Sequence, residues 1–177
     1  ANRVAYLDHL AQGRFMFGIG AGGLPSDHTL FNVDMDAGEH REMTREALEI
    51  ILKVWQDDWP SEYKGKFWSF KFPDPKDYEA TSLKSYRKPF QKPHPPIGIA
   101  AASPKSETLK MAGERGYIPL SLGLNARYVA GHWEAIEEGA KRSGRQPSRS
   151  EWRIVRDIWV DDTDEKARES ARRGALV

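Results

Sequence analysis

The sequence contains no cysteine, which excludes disulfides, thiolate metal sites and cysteine nucleophiles and is typical of a cytoplasmic protein. Its five histidines include no pair four residues apart and no metal-ligand spacing, so we expect no metal site. No apolar run approaches the roughly 20 residues that span a bilayer. The amino terminus also lacks the basic and apolar regions of a signal peptide, so neither membrane insertion nor secretion is predicted.

An excess of charge of one sign is also missing. The chain has 27 basic and 26 acidic side chains, which gives no general reason to expect nucleic acid or a membrane surface as partner. A local basic cluster is interleaved with aromatic residues, but no nucleic-acid motif accompanies it, and we interpret it as a solvated insertion. The cluster consists of Lys84, Tyr86, Arg87, Lys88, Phe90 and Lys92.

Glycines are concentrated in one stretch near the amino terminus. The apolar run Arg14–Ile19 predicts a buried strand, and four of the six residues at 18–23 are glycines, which allow close approach to a ligand. They match G-x-G-x-x-G at Gly18, Gly20 and Gly23, but a dinucleotide site also needs a helix starting within the glycines and an acid about 20 residues further on. The segment 24–36 has turn-forming residues instead. We therefore predict a strand followed by a long loop that bends over a pocket.

Hydrophobic periodicity predicts five helices, at 1–12, 38–55, 105–115, 125–143 and 163–173. In the first helix the inward face is predicted to comprise Val4, Leu7, Leu10 and Ala11. In the second helix it comprises Met43, Ala47, Leu48, Ile51, Leu52 and Trp55, with Glu39, Glu42, Arg45 and Glu46 outward. In the fourth helix it comprises Tyr128, Val129, Trp133, Ile136 and Ala140. Gly13 would cap the first helix, Pro104 would lie in the first turn of the third, and Asp162 or Thr163 would cap the last.

Strands are predicted at 14–19, 97–102, 117–122 and 152–160, with a hairpin at 63–72 and a Pro-rich surface crossover up to Pro96. Because strands and helices alternate, we expect an α/β fold with a parallel sheet. Short buried strands without a dinucleotide motif favour a (β/α) barrel over an open sheet. A full barrel has eight strands in roughly 250 residues. We therefore predict one partial barrel domain over 1–177, with an insertion at 57–96, that is either a fragment of a longer protein or completed by a partner.

Three segments resemble the bacterial-luciferase-like flavin monooxygenases. Residues 7–27 resemble the region of that family's fourth strand, 95–104 its fifth strand, and 158–167 its seventh strand and following helix. The hairpin at 63–68 and the approach at 92–96 are similar to members that act on terpenes, of the limonene-monooxygenase type. The resemblance covers essentially the whole chain and lacks strands one to three and strand eight.

The resemblance implies a (β/α)8 TIM barrel that binds reduced FMN at the carboxyl ends of its strands. A flavin hydroperoxide would transfer one oxygen atom from O2 to a small hydrophobic substrate and lose the other as water. It also implies an NAD(P)H:flavin oxidoreductase as partner and a homodimer. Two alternatives stay open, a deazaflavin-dependent oxidoreductase of the same superfamily and a flavin-binding relative without activity.

The same resemblance assigns hydroxyls and an arginine to the FMN phosphate. The hydroxyls are those of Ser103, Ser106 and Thr108, whose alternative role is helix capping. The arginine is Arg41, with Arg45 as substitute, and its alternative role is that of a solvated helix charge.

Small residues are expected to let the flavin ring lie against the backbone, or else to fit a tight barrel interior. They are Gly20, Ala21, Gly22, Ala100, Ala101 and Ala102. The chain departs from luciferase at two of them, with Ala21 in place of a second phosphate-directed arginine and Gly20 in place of a reactive cysteine, which argues against a light reaction. We interpret Met16, Phe17 and Met35 as packing residues, and His28 and His40 as structural or exposed. No catalytic residue is predicted, because the family's catalytic histidine lies in the missing amino-terminal part.

Overall fold

A computed structural model describes residues 1–56, 62–72, 87–123 and 126–174. Its helices are α1 (Asn2–Leu10), α2 (Pro25–Phe31), α3 (Glu39–Gln56), α4 (Glu107–Arg115), α5 (Ala126–Ser143) and α6 (Asp164–Gly174). Its strands are β1 (Phe17–Ile19), β2 (Glu62–Lys64), β3 (Ser69–Lys71), β4 (Ile97–Ala101), β5 (Ile118–Leu122) and β6 (Arg153–Val155). None of the helices in this described part of the chain is long and apolar enough to span a bilayer.

Four strands form one parallel sheet in the order β1-β4-β5-β6. The strands β2 and β3 form a separate antiparallel hairpin, which confirms the prediction for that segment. Helix α4 lies between β4 and β5, α5 lies between β5 and β6, and α2, α3 and the hairpin lie between β1 and β4. The residues that follow β1, β4 and β5 therefore all lie at one edge of the sheet, the carboxyl edge, where ligands bind in parallel α/β folds.

The hydrophobic core lies between the sheet and helices α3, α4 and α5. One buried cluster comprises Leu48, Ile97, Ile99, Ala112 and Tyr117, and a second comprises Ala101, Leu109, Trp133, Ala135 and Ile136. Two glycines bring α4 and α5 into backbone contact. A Cβ on Gly139 would lie 1.8 Å from the carbonyl oxygen of Lys110, and one on Gly113 would lie 2.0 Å from that of Ile136. At either position, any residue with a side chain would force the two helices apart.

One predicted loop and one predicted helix boundary are wrong. The segment at 24–36, predicted as a loop, contains the short helix α2, with Pro25 in its first turn, where a missing N–H costs nothing, and Asn32 as a left-handed C-cap. The helix predicted to start at Lys105 starts at Glu107, because Lys105 has a φ of +51° that interrupts helical geometry. Pro104 therefore lies in the turn before α4.

Some predicted inward faces are also wrong. In α1 the buried residues are Ala5 and Asp8, whereas Leu10 is 61% exposed. Asp8 tolerates burial because its carboxylate accepts hydrogen bonds from the backbone N–H of Gln91 (2.8 Å) and from its side-chain amide (2.7 Å). In α5, Tyr128 is exposed rather than inward.

The carboxyl-terminal elements are shorter and more exposed than predicted. Strand β6 ends at Val155, and Ile158 and Val160 beyond it are 80% and 89% exposed. The Oγ1 of Thr163 accepts a hydrogen bond from the N–H of Lys166, which confirms Thr163 as the cap of α6.

The Pro-rich crossover lies partly outside the described residues. The undescribed part is 73–86, which includes Lys84 and Tyr86 of the basic cluster. Farther along, Pro89 and Pro95 are buried rather than at the surface.

Candidate flavin site

Two adjoining cavities lie at the carboxyl edge of the sheet, between the segment after β1 and the helices α2, α3 and α4. The first, here called the rim cavity, has a volume of about 520 Å³. It is lined by Ala21, Gly22, Gly23, Met35, His40, Arg41 and residues 100–108. It brings together eight of the nine predicted cofactor-binding residues: Ala21, Gly22, Arg41, Ala101, Ala102, Ser103, Ser106 and Thr108. The ninth, Gly20, lines the second cavity.

The hydroxyls of the rim cavity lie at the amino end of α4. Ser106 occupies the N-cap position but makes no capping hydrogen bond with its side chain, and its buried Oγ lies 2.6 Å from the Oγ1 of Thr108. The first amides of a helix have no partner inside that helix, and the helix dipole is positive at this end. The side chain of Ser106 therefore does not cap α4, and its hydroxyl lies with that of Thr108 and the first turn of the helix in one cavity.

Cations border the same cavity on two sides. Arg41, in the first turn of α3, lines the rim cavity, whereas Arg45 lines neither of the two cavities. Lys105 is a second cation of the lining that sequence reasoning missed, since its positive φ cannot be read from the Ser-Pro-Lys order. Glu107 also lines the cavity, but its carboxylate forms an ion pair with Lys110 at 2.9 Å. The local charge balance therefore favours a bound anion.

A buried histidine of α5 holds the β4–α4 segment. The Nε2 of His132 donates a hydrogen bond to the backbone carbonyl of Ser103 at 3.0 Å. This long-range contact fixes the turn that carries Ser103 and Ser106 against the body of the fold. It could not be predicted, because 29 residues separate the partners and no local pattern marks the pair.

The glycines after β1 are not required by packing among the described residues. A Cβ added at Gly20, Gly22 or Gly23 would meet no atom within 4 Å, although the φ of +75° at Gly22 itself favours glycine. Open space beside a bare backbone is suited to the close approach of a flat ring. Ala100 and Ala101 at the end of β4, and Ala102 after it, also line the rim cavity with small side chains.

The second cavity, here called the histidine cavity, has a volume of about 420 Å³. It shares Ala21, Gly22 and His40 with the rim cavity. Its remaining lining is mostly apolar and comprises Gly20, Asp27, His28, Phe31, Val33, Met43, Thr44, Ala47 and Trp68. The two cavities therefore lie side by side, separated by the glycine segment and one imidazole.

His28 and His40 meet edge to face, with ring centroids 4.7 Å apart, and are only 9% and 6% exposed. Within the described part of the chain, the Nε2 of His28 and the Nδ1 of His40 have no hydrogen-bond partner. Burial, together with the neighbouring His28 and Arg41, lowers the pKa of His40. The two histidines thus form a buried pair, which the sequence could not indicate because they come from different helices.

The hairpin forms one wall of the histidine cavity and is held by Glu46. This carboxylate is buried, not outward as predicted, and accepts hydrogen bonds from the backbone N–H groups of Lys66 (3.0 Å), Phe67 (3.1 Å) and Trp68 (2.9 Å). Gly65 lies directly against this carboxylate: a Cβ there would lie 2.0 Å from Oε1 of Glu46, so a larger residue would displace the carboxylate. Glu46 therefore fixes the hairpin turn that carries Trp68, a residue of the cavity lining.

The three residues interpreted as packing differ in their surroundings. Phe17 packs edge to face on Trp55, with centroids 5.8 Å apart, which confirms a packing role. Met35 lines the rim cavity. Met16 is 58% exposed, so its prediction as a packing residue is wrong for this chain.

Comparison with known protein sequences identifies the family of this chain. A family model described as luciferase-like monooxygenase matches residues 1–176. The chain is 27% identical over 192 residues to 3,6-diketocamphane 1,6-monooxygenase of Pseudomonas putida, covering 99% of this chain and 50% of that protein. It is 28% identical over 181 residues to limonene 1,2-monooxygenase of Rhodococcus erythropolis, covering 99% and 42%. A putative coenzyme F420-dependent oxidoreductase of Mycobacterium tuberculosis is 28% identical over 167 residues, covering 91% and 45%.

A solved structure agrees with these matches. The oxygenating constituent of 3,6-diketocamphane monooxygenase, a type II Baeyer-Villiger monooxygenase in complex with FMN, superimposes with a TM-score of 0.82 at 27% identity and covers 97% of this chain and 47% of that one. The chain thus spans about half the length of its curated relatives, and its fold is part of their (β/α) barrel. The chain belongs to the luciferase-like monooxygenase family.

Proposed function

We propose that this chain is the flavin-binding half of an FMN-dependent, two-component monooxygenase that inserts one oxygen atom of O2 into a small hydrophobic molecule. The proposal combines the family membership with the chemistry of the rim cavity. A relative of this family is described as an oxygenating constituent in complex with FMN, which supports a separate component that supplies reduced flavin. That partner would be an NAD(P)H:flavin oxidoreductase, and we propose a cytoplasmic homodimer.

The observation that carries the proposal is the position of Ser106. Its hydroxyl is buried at the start of α4, does not cap the helix, and pairs with Thr108 in a cavity that also contains Arg41 and Lys105. Such a set suits a phosphate, since hydroxyls and helix amides donate hydrogen bonds while the cations balance its charge. The flavin ring would lie along the small residues Gly20–Gly22 and Ala101–Ala102.

Reduced FMN, when bound, would supply the electrons that activate O2. The chain's own contribution would be to orient the ring, to hold the phosphate, and to exclude water on the side of the apolar histidine cavity. No described residue is proposed as general acid or base.

A deazaflavin-dependent oxidoreductase is the second candidate function, because a relative with that putative activity matches 91% of the chain. The two functions differ in their need for oxygen, since a deazaflavin enzyme transfers hydride without O2. A flavin-binding relative without catalytic activity is a third possibility that the same experiment separates.

Labelled oxygen tests the proposal. The complete enzyme that contains this chain is mixed with FMN, a flavin reductase, NADH and a cyclic monoterpene ketone under ¹⁸O2, and products are analysed by mass spectrometry. We expect one ¹⁸O atom in the product and one in water. Turnover with F420 under anaerobic conditions would replace the proposal by the deazaflavin function. FMN binding without any product from a panel of hydrophobic substrates would favour the relative without activity.

A further inference from the structure

We infer that His132 is a positioning residue for the flavin phosphate: it holds the turn between β4 and α4 without touching the ligand. The turn comprises Ser103, Pro104 and Lys105, which all line the rim cavity, as does the N-cap residue Ser106. His132 belongs to α5 and is not one of the residues that line the cavity. The inference rests on the proposed function, because it takes the rim cavity as the phosphate site.

The hydrogen bond of His132 fixes the direction of one carbonyl group. The peptide bond between Ser103 and Pro104 has no N–H, so its carbonyl oxygen is the polar group that it can present. A carbonyl oxygen that faced the cavity would repel a phosphate, since both are hydrogen-bond acceptors with negative charge. The Nε2 of the fully buried His132 donates to this oxygen at 3.0 Å. The bond therefore keeps a repulsive oxygen directed toward α5.

The same part of α5 supports a strained residue of the turn. Lys105 has a φ of +51°, a left-handed conformation that is unfavourable for a residue with a side chain and persists where the surrounding structure holds it. A Cβ on Gly131 would lie 3.9 Å from the backbone nitrogen of Lys105, which is ordinary contact distance. Gly131 and His132 thus approach the two ends of the turn, at Lys105 and at Ser103.

The second ring nitrogen of His132 indicates that the residue does not serve packing alone. The side chain is fully buried, and its Nδ1 has no hydrogen-bond partner among the described residues. A buried nitrogen without a partner is unfavourable. A leucine at this inward position of α5 would fill similar space without that cost. The bond from Nε2 to the turn is therefore the interaction that distinguishes histidine from an apolar residue here.

The test compares the binding of FMN with that of riboflavin, which has the same ring and no phosphate, in the complete enzyme that contains this chain. The variant His132→Leu removes the donor, whereas His132→Gln restores an N–H near the position of Nε2. We expect His132→Leu to weaken FMN binding about fivefold to tenfold, as the loss of one hydrogen bond implies, and to leave riboflavin binding unchanged. His132→Gln should bind both flavins like the unsubstituted enzyme. Calorimetric titration measures all of these affinities.

His9 offers a matched control, because its Nε2 also donates to a distant backbone carbonyl, that of Lys88 at 2.9 Å, and it lines neither cavity. We expect His9→Leu to leave the ratio of FMN to riboflavin affinity unchanged. An equal fall of this ratio in His9→Leu and His132→Leu would identify a general loss of stability and overturn the inference. Equal weakening of both flavins in His132→Leu, or a His132→Gln variant that behaves like the leucine variant, would also overturn it.

A measurement on the unsubstituted enzyme does not depend on the folding of any variant. Imidazole ¹⁵N spectra should show a protonated Nε2 and an unprotonated Nδ1 at His132, and saturating FMN should shift the Nε2 resonance more than riboflavin does, because the phosphate lies against the turn that Nε2 holds. The opposite tautomer, or equal shifts with the two flavins, would refute the inference.

The titrations also separate this inference from the proposed function. If the unsubstituted enzyme binds FMN no more tightly than riboflavin, the rim cavity is not a phosphate site and the proposed flavin function fails. If the enzyme prefers FMN and His132→Leu keeps the whole preference, the flavin function stands and the role of His132 is refuted.

Discussion

The two cavities share one edge of the sheet but differ in chemistry. The rim cavity is lined by hydroxyls, cations and the first turn of α4, whereas the histidine cavity is lined by apolar side chains and a buried imidazole pair. Both border the same glycine segment, where a Cβ at Gly20, Gly22 or Gly23 would meet no atom within 4 Å. The comparison teaches that one glycine-rich segment at a strand end can border a polar and an apolar cavity at the same time.

The difference arises from which part of each helix faces the edge. The rim cavity contains the amino ends of α3 and α4, where the positive end of each helix dipole favours anions. The histidine cavity contains the inward face of α3, at Met43, Thr44 and Ala47, which is covered by the hairpin. Helix α3 thus lines the rim cavity with its first turn and the histidine cavity with the residues that follow.

The largest expected effect is a loss of stability in the hairpin that borders the histidine cavity. Glu46→Ala leaves three backbone N–H groups of the hairpin turn without their acceptor, and we expect it to lower the free energy of unfolding by about 3 kcal/mol. Chemical denaturation measures this loss. The control is Glu42→Ala, which breaks an exposed ion pair with Lys66 on the same hairpin and should cost far less. Equal losses in the two variants would show that Glu46 does not fix the hairpin.

The next largest effect is expected on FMN binding, through a residue of the rim cavity. Arg41→Ala should weaken FMN binding by roughly 1.5 to 3 kcal/mol, because a charged hydrogen bond to the phosphate is lost. Calorimetric titration measures the change. Arg45→Ala is the matched control four residues along the same helix, and it should bind FMN as the unsubstituted chain does. If both variants bind FMN normally, Arg41 is a solvated helix charge.

A smaller effect is expected at the start of α4. Ser106→Ala should weaken FMN binding by about 1 kcal/mol, which is typical of one hydrogen bond. Because the side chain of Ser106 makes no capping bond, the thermal stability of the variant without ligand should change little. A clear loss of stability with unaltered FMN affinity would identify the serine as a helix cap.

The smallest effect is expected on the pH dependence of stability, through His40, the titratable residue that lines both cavities. The pKa of His40 is lowered from its ordinary 6.5, so the unfolded chain binds a proton more readily than the folded one below that pH. Stability should therefore be complete above pH 6.5 and fall as the pH drops through the lowered pKa. We expect His40→Gln to flatten this part of the profile in denaturation measured at several pH values, and His94→Gln to leave it unchanged. A steeper slope for His40→Gln would contradict the sign.

Much of the fold could be predicted because it depends on local periodicity. The alternation of short apolar runs with helices gave the parallel sheet, and parallel strands bring residues 20–23 and 102–108 to one edge whatever their distance in sequence. The expectation that Arg41 lies with Ser103 and Ser106 came instead from the resemblance to the luciferase-like family. The resemblance supplied the ligand chemistry that periodicity cannot.

The rest depended on contacts that no local pattern records. Glu46 and Asp8 are buried charges satisfied by backbone amides 20 or more residues away, so they appear in the sequence as ordinary polar positions. The His28–His40 pair needs the helix α2, which polar, turn-forming residues concealed. The burial of Ala5 in place of Leu10 likewise reflects which side of α1 meets the rest of the chain.

The central claim is that the rim cavity holds the phosphate of a flavin, and the most direct test compares FMN with riboflavin, which has the same ring and no phosphate. Both are titrated into the unsubstituted chain and into Arg41→Ala under identical conditions. We expect FMN to bind the unsubstituted chain at least tenfold more tightly than riboflavin, as a charged hydrogen bond of about 1.5 kcal/mol or more requires, and the ratio to shrink in the variant. Equal affinities for the two flavins in the unsubstituted chain would contradict the claim.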